Sequence, residues 1–187
     1  MNLTPSRSWA PRLLAAVLLA GSVGLAAPAA QAQARSAPAA TRAAGTVTRS
    51  AEIQRARSWL TADRGKPVPY SQTRRWSDGY RQDCSGFASM ALRLGSPGPN
   101  TVALVKSYTV PMRMADLRQG DLVIKANSNS SDERHVVLFD GWANAAHTSY
   151  WTYEQAGESG TRRHLHSYGF VKGDGYHAYH PKNLVDG

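Results

Sequence analysis

The stretch QDCSGFASMALRLG, residues 82–95, places the only cysteine of the chain, Cys84, at the start of a predicted helix. Asp83 and Ser85 are residue types that cap helix N-termini, residues 87–94 have the composition of a helix, and Gly95 is a common helix stop. A thiol in the first turn lies at the positive end of the helix dipole, which favours the nucleophilic thiolate. The alternative is a small buried apolar residue that happens to be cysteine.

The N-terminal segment has the features of an export signal. Arg7 and Arg12 provide a positive start, residues 13–27 are apolar, and Ala30-Gln31-Ala32 fits a small-x-small cleavage site. We therefore predict a secretory signal over residues 1–34 and a secreted protein, extracellular or associated with the cell wall. The apolar run is too short for a membrane span, so we expect no stable membrane insertion after cleavage. In an oxidising compartment, an unpaired cysteine is an intermolecular partner or a free reactive thiol.

The rest of the chain has the size of one domain. Residues 35–49 have little to bury and are predicted to be a disordered leader, so the folded domain is predicted over residues 50–187. Loss of Arg7 and Arg12 with the signal lowers the net charge from +9 to +7. The basic residues are spread along the chain without a block or a basic helix face, so we predict no nucleic-acid partner. The charge suits a mild affinity for anionic surfaces, and we expect a monomer.

The order of predicted elements indicates an α+β fold with an antiparallel sheet. Residues 51–62 have the apolar spacing of a helix, with Ser50 as a possible N-cap, and residues 101–107 can form one or two helical turns. From residue 120 onward the pattern changes to short β-forming runs separated by polar segments. The predicted strands are residues 122–124, 135–139 and 150–155, with weaker candidates over 164–168 and 176–179.

A cysteine nucleophile needs a base within hydrogen-bond reach and a third group that orients the base. His135 begins a predicted strand after a polar loop, where a helix start packed on the sheet can present Cys84. If residues 135–139 and 150–155 form a hairpin, Glu154 near the end of the second strand can face the start of the first. We predict Cys84 as nucleophile, His135 as base and Glu154 as the orienting group, against the alternative of a packing histidine and a solvated carboxylate. His147, in the predicted hairpin loop, is the second candidate for the third position.

The other histidines give no metal site. His164 and His166 would lie on one face of a strand, an arrangement with which a zinc site can begin. A third ligand at a fitting spacing is not evident in the sequence, so we predict neither a metal nor another cofactor. His177 and His180 are expected at the surface.

Four segments, in their order along the chain, resemble the NlpC-type cell-wall cysteine peptidases. They are Pro69-Tyr70, the Asp-Cys-Ser-Gly run at residues 83–86, Gly120-Asp121-Leu122-Val123 and His135-Val136-Val137-Leu138. The resemblance covers residues 50–160 and implies a papain-like α+β fold, with the nucleophile at a helix start packed on an antiparallel sheet. It also implies hydrolysis of amide bonds in peptidoglycan stem peptides, with Cys84 as nucleophile and His135 as base. Tyr70, Asp83 and Ser85 match positions that help to bind the amino end of the peptide in the family.

The chain departs from the family's pattern at two places. A Gly-Gly pair usually follows the Pro-Tyr, and residues 71–75 are Ser-Gln-Thr-Arg-Arg instead. The third catalytic residue is commonly a histidine on the strand after the base. Glu154 at this place resembles the related CHAP amidases, but the asparagine that follows in those enzymes is replaced by Ala156.

Three functions are compatible with these residues. The leading one is a secreted thiol hydrolase of peptidoglycan amide bonds, acting through a Cys–His–Glu triad and an acyl-enzyme. The alternatives are a catalytically weak or inactive wall-binding module of the same fold, and a thiol acyltransferase that passes the acyl group to an amine. The expected partner is peptidoglycan or a peptide substrate in each case.

Overall fold

A computed structural model describes residues 45–128, 130 and 133–187. The predicted signal over residues 1–34 and most of the predicted leader lie outside the described residues. The predicted end of the leader at residue 49 is wrong, because Val47–Thr48 form strand β1, which pairs in parallel with strand β8 at Leu184–Val185. Val47 is 3% exposed. Pairing and burial order a segment whose composition alone predicts disorder.

Two helices precede the main sheet. Helix α1 spans Arg49–Ser58 and is capped by the Thr48 side chain rather than by Ser50. Helix α2 spans Cys84–Ala91, and the predicted Asp83 cap is confirmed, since its carboxylate accepts a hydrogen bond from a backbone amide of the first turn. All eight residues of α2 are buried, so packing surrounds this helix. Among the described residues, no helix is long and apolar enough to cross a membrane.

A further helical segment leads into a strand that the sequence pattern does not predict. Helix α3 at Thr101–Ala103 continues as a π-helical turn over Leu104–Tyr108, where helical turns are predicted. Strand β2 at Thr109–Met112 follows, and a 3-10 turn at Met114–Asp116 comes next. β2 is an end strand of its sheet, which is the position where the proline it contains is tolerated.

The main sheet has six strands in the order β2-β7-β3-β4-β5-β6, and all neighbouring pairs are antiparallel. The predicted α+β class with an antiparallel sheet is therefore confirmed. β4 and β5 form the predicted hairpin, with a β-bulge between Phe139 and Gly141. The strands after β2 are β3 at Leu122–Lys125, β4 at His135–Trp142, β5 at Tyr150–Ala156, β6 at Gly160–His166 and β7 at His177–Pro181.

The two faces of the sheet carry different residues of β4. Val136 and Leu138 belong to the larger core, which they share with buried residues of α1 and α2. Val137 and Phe139 alternate with them and join a smaller aromatic cluster on the opposite face. By the same alternation His135 belongs to the second face. Because it is the first residue of β4, its side chain lies at the end of the sheet rather than in the middle of a packed face.

Candidate active site

The N-terminus of α2 presents the cysteine to the sheet. Cys84 is the first residue of the helix and is 6% exposed, and its side chain is close enough to His135 to raise the pKa of that ring. The helix starts here because the Asp83 carboxylate accepts from the Gly86 amide, while the Asp83 carbonyl accepts the first intrahelical bond from Phe87. The helix dipole therefore favours negative charge at the Cys84 sulfur.

His135 connects the cysteine to a buried carboxylate. Its Nε2 lies 2.7 Å from Oε2 of Glu154, so Nδ1 is the ring nitrogen available to interact with Cys84. Burial lowers the pKa of His135, but hydrogen bonds and charge interactions with Cys84 and Glu154 outweigh this effect and raise the pKa to about 9. The ring therefore keeps both of its protons at neutral pH, as an imidazolium that its two partners stabilise.

Glu154 is 1% exposed and has three hydrogen-bond partners. Oε2 bonds with His135, while Oε1 accepts a hydrogen bond from Arg162 Nε at 2.8 Å and lies 3.0 Å from His166 Nε2. Burial alone would raise the pKa of Glu154, but the hydrogen bonds and charges of the two histidines hold it well below its usual range. The group is thus a carboxylate at neutral pH, able to orient the imidazole ring and to stabilise its positive charge.

The two other partners of Glu154 were not predicted from the sequence. β6 begins at Gly160, four residues before the predicted strand, and its register puts Arg162 directly opposite Glu154. The strand alternation of β6 is the signal that could have found both partners, since Arg162, His164 and His166 share one face. His166 contacts Glu154 rather than forming the start of a zinc site. Within the described ranges, no group of three or more His, Cys, Asp and Glu side chains is placed to hold a metal ion.

His147, the second candidate for the third position, lies far from the base. It occupies the turn between β4 and β5 with a φ of 54°, and its ring stacks on Trp142 with centroids 4.2 Å apart. Trp142 ends β4 and His135 begins it, so the length of that strand, roughly 20 Å, separates the two histidines. The structure brings Glu154, and not His147, to His135.

A stack of aromatic rings forms a wall beside the base. Tyr168 lies between His166 and Tyr176, with ring centroids 4.0 Å from each, and it meets His135 edge-on at 6.4 Å. Burial raises the pKa of both tyrosines, so their hydroxyl groups stay neutral. The wall therefore restricts the orientation of His135 without adding charge. Nothing in the sequence pattern indicates this arrangement, because Tyr168 and Tyr176 belong to the segment that joins β6 and β7.

Two recesses flank Cys84 and His135. The cysteine-side recess has a volume of about 150 Å³, and the three residues that the family resemblance places at the substrate, Tyr70, Asp83 and Ser85, line it. The histidine-side recess has a volume of about 440 Å³ and includes the aromatic wall. Tyr70 and Arg134 line both recesses, so together they form one cleft that passes the nucleophile and the base.

The chain matches no model of a known protein family, and no curated protein matches it. A thiol at a helix start, a protonated imidazole, a buried carboxylate and a cleft that passes them are groups with which acyl transfer to a thiol is chemically feasible.

Proposed function

We propose that the protein is a secreted cysteine hydrolase of the NlpC type, with a papain-like fold, that cleaves amide bonds in peptidoglycan stem peptides. The observation that carries this proposal is the row of side chains Cys84, His135 and Glu154, in which His135 interacts with Cys84 and lies 2.7 Å from the Glu154 carboxylate. A nucleophile, a base and a group that orients the base, linked in this order, are what covalent catalysis by a thiol requires.

In the first half of the reaction, the thiolate of Cys84 attacks the carbonyl carbon of the substrate amide. The carbonyl oxygen becomes negative, and the N-terminus of α2 is the nearest source of backbone N–H groups and positive dipole to stabilise it. His135 then gives its Nδ1 proton to the amide nitrogen, the C–N bond breaks, and the amine leaves. The product is a thioester between the acyl group and Cys84.

In the second half, water attacks the thioester. His135, now neutral, takes a proton from the water through Nδ1 while Nε2 stays hydrogen-bonded with Glu154. The C–S bond breaks, the acid leaves, and the thiolate–imidazolium pair is restored. Conversion of the thiolate into a thioester removes one of the two partners that raise the pKa of His135, so the base becomes easier to deprotonate when the reaction needs it.

Peptidoglycan is the proposed substrate for two reasons. The four segments that resemble the NlpC-type peptidases include the cysteine and the histidine of this row of side chains. The predicted export signal and a charge of +7 after its removal suit an enzyme that works on an anionic cell wall.

A thiol acyltransferase would use the same groups up to the thioester and differ only in the second nucleophile. A pure binding module would have no need for a protonated base held by a buried carboxylate.

The test is mass analysis of purified peptidoglycan after incubation with the mature protein. We expect fragments with a new amine and a new carboxyl group, and a loss of several orders of magnitude in their rate of release with Cys84→Ala. An added amine that replaces water in the products would identify an acyltransferase instead. Equal cleavage by Cys84→Ala would contradict the proposal. The absence of cleavage by a wild type whose thiol reacts completely with a thiol reagent would also contradict it.

A further inference from the structure

The cysteine-side recess lacks the uncompensated negative charge that would bind the amino end of a peptide, the role that the family resemblance implies for it. An ammonium group would need a carboxylate with free acceptor capacity. Asp83 Oδ1 already accepts from the Gly86 amide at 2.6 Å and from the Ser85 hydroxyl at 3.0 Å, and Oδ2 accepts from Arg81 Nε at 2.8 Å. The Asp83 side chain is only 16% exposed. Its charge is therefore compensated within the protein.

Arg81 and Ser85 are committed in the same way. Arg81 Nη2 donates to the Ser85 hydroxyl at 3.0 Å and to the Pro99 carbonyl at 2.9 Å, and Nη1 donates to the Gly98 carbonyl. Ser85 is 3% exposed and both donates and accepts inside this network. The network holds the loop before α2 in place, and its charged groups pair with each other.

Arg134 is differently placed. It directly precedes His135, it lines both recesses, and its buried Nε has no hydrogen-bond partner within the described residues. A guanidinium N–H without an acceptor is unsatisfied, so no hydrogen bond at Nε compensates the charge of Arg134 within the described residues. The planar fork of arginine fits the two oxygens of a carboxylate.

The balance of charge supports the same ligand. On the cysteine side, Arg134 and Arg81 lie with the Asp83 carboxylate and with Cys84, whose thiolate pairs with the His135 imidazolium. On the histidine side, the cations Arg134, Arg162 and His135 outnumber the one carboxylate, Glu154. Across the two recesses four cations, Arg81, Arg134, Arg162 and His135, face three anions, so the cleft has an excess of one positive charge before substrate enters.

We propose that Arg134 binds a carboxylate of the substrate beside the scissile amide, so that the cleft selects acidic substrates. Its role as a specificity residue in turnover rests on the proposed function. The preference of the cleft for an anion does not, because it follows from the charges around Cys84 alone.

Two alkylating agents of the same size separate these claims, since Cys84 is the only thiol in the chain. Iodoacetate has a carboxylate, and iodoacetamide has a neutral amide. The ratio of the iodoacetate rate constant to the iodoacetamide rate constant at Cys84 should exceed the same ratio for free cysteine at the same pH. Arg134→Gln should lower the ratio about three- to tenfold through loss of one nearby charge, while Arg134→Lys should retain most of it. Arg64→Gln, which removes an arginine with a 93% exposed side chain, should leave the ratio unchanged.

The iodoacetamide rate is the internal measure of an intact site. If it stays near the wild-type value in Arg134→Gln while the ratio also stays unchanged, the proposal is overturned. If Arg134→Gln does not fold, Arg134→Met is the second neutral variant, because it keeps much of the apolar stem of arginine.

A pair of peptide amides that differ only in a carboxylate or a carboxamide beside the scissile bond connects the recess with turnover. The wild type should prefer the acid in kcat/KM, and Arg134→Gln should reduce this preference about tenfold, mainly through KM. Equal turnover of acid and carboxamide by the wild type would overturn the inference and leave the proposed function standing. Failure to cleave peptidoglycan and both peptides would refute the proposed function, and the alkylation ratio would still test Arg134.

Discussion

Two glutamates of this domain are equally buried, and their pKa values are shifted in opposite directions. Glu154, 1% exposed, has three hydrogen-bond partners, and its pKa lies well below the usual range. Glu52 of α1, 0% exposed, has no hydrogen-bond partner for either carboxyl oxygen within the described part of the chain. Burial first, and then the charge of Asp121, raise the pKa of Glu52 well above its ordinary value.

The pKa values of the two glutamates differ because the neighbouring cations pair with different carboxylates. Arg49 Nη1 and His180 Nδ1 lie 3.1 and 2.8 Å from Oδ1 of Asp121, which is fully buried. His180 is thus a partner of Asp121 and not simply a surface residue. Because Arg49 is paired with Asp121, its charge lowers the pKa of Glu52 less than burial and the Asp121 charge raise it. Burial therefore does not decide the charge of a carboxyl group here; its partners do. The partners of Glu154 lower its pKa and favour the carboxylate, whereas burial and Asp121 raise the pKa of Glu52 and favour the protonated form.

The largest expected effect separates the two glutamates by activity. Glu154→Gln keeps the shape of the side chain and removes the charge that holds the His135 imidazolium, so we expect turnover to fall about ten- to a thousandfold. Glu52→Gln is the matched control and should stay within about twofold of wild type, since the group it replaces is already neutral. His147→Ala should likewise leave turnover close to the wild-type value. Turnover of peptidoglycan fragments measures all three, and an active Glu154→Gln variant beside an inactive His147→Ala variant would reverse our assignment.

A smaller effect is expected in the pH dependence of thiol alkylation. The raised pKa of His135 means that the imidazolium beside Cys84 is complete below about pH 6.5 and is lost as the pH rises through about 9. Iodoacetamide should therefore react with Cys84 well below the ~8.5 at which a free cysteine titrates, and this low-pH reactivity should shrink in His135→Ala.

The same measurement compares the two glutamates. Glu154→Gln removes one of the two partners that raise the pKa of His135, so the loss of the imidazolium should move to lower pH. Glu52→Gln should reproduce the wild-type profile. Superimposable profiles for wild type and His135→Ala would remove His135 from the role of base.

The pairing of His135 with Glu154 could be predicted because both lie on strands of one hairpin. Alternation and a short connection are enough to bring the start of β4 near the end of β5. The α2 start could be predicted for a similar reason, since the Asp83 cap is a local interaction. Features of this kind depend on residues close in sequence, where propensity and hydrogen bonding act together.

Features that depend on distant residues could not be predicted. Strand β1 exists only because residues 184 and 185 lie beside it, and the commitment of Asp83 to Arg81 depends on the folded loop before α2. Gly120 begins the Gly-Asp-Leu-Val segment, and the need for a glycine at this position is visible only in the folded structure. It adopts a φ of 90°, and a side chain there would collide with the Glu52 carboxyl group. Gly120 and Glu52 therefore belong to one packing arrangement, in which the glycine leaves room for the carboxyl group.

The smallest expected effect is on stability, and its sign follows from the pKa of Glu52. A carboxyl group whose pKa is raised on folding contributes fully below its unfolded value of 4.5, and this contribution is lost as the pH rises through the folded value. Glu52→Gln does not titrate. The free energy of unfolding of the variant relative to wild type should therefore increase with pH above 4.5, by at most about 1.4 kcal/mol per pH unit.

Denaturant unfolding of the two proteins between pH 4 and pH 8 measures this difference, and the titration of His135 cancels because both proteins contain it. Glu154→Gln should behave in the opposite way below pH 4.5, whereas above pH 6.5 its lowered His135 pKa also changes the difference from wild type. The pKa of Glu154 is lowered on folding, so its contribution is complete above pH 4.5 and is lost only as the pH falls below that value. Parallel curves for wild type and Glu52→Gln over the whole range would mean that Glu52 is ionised in the folded protein. Some cation would then have to pair with it, and the contrast between the two glutamates would disappear.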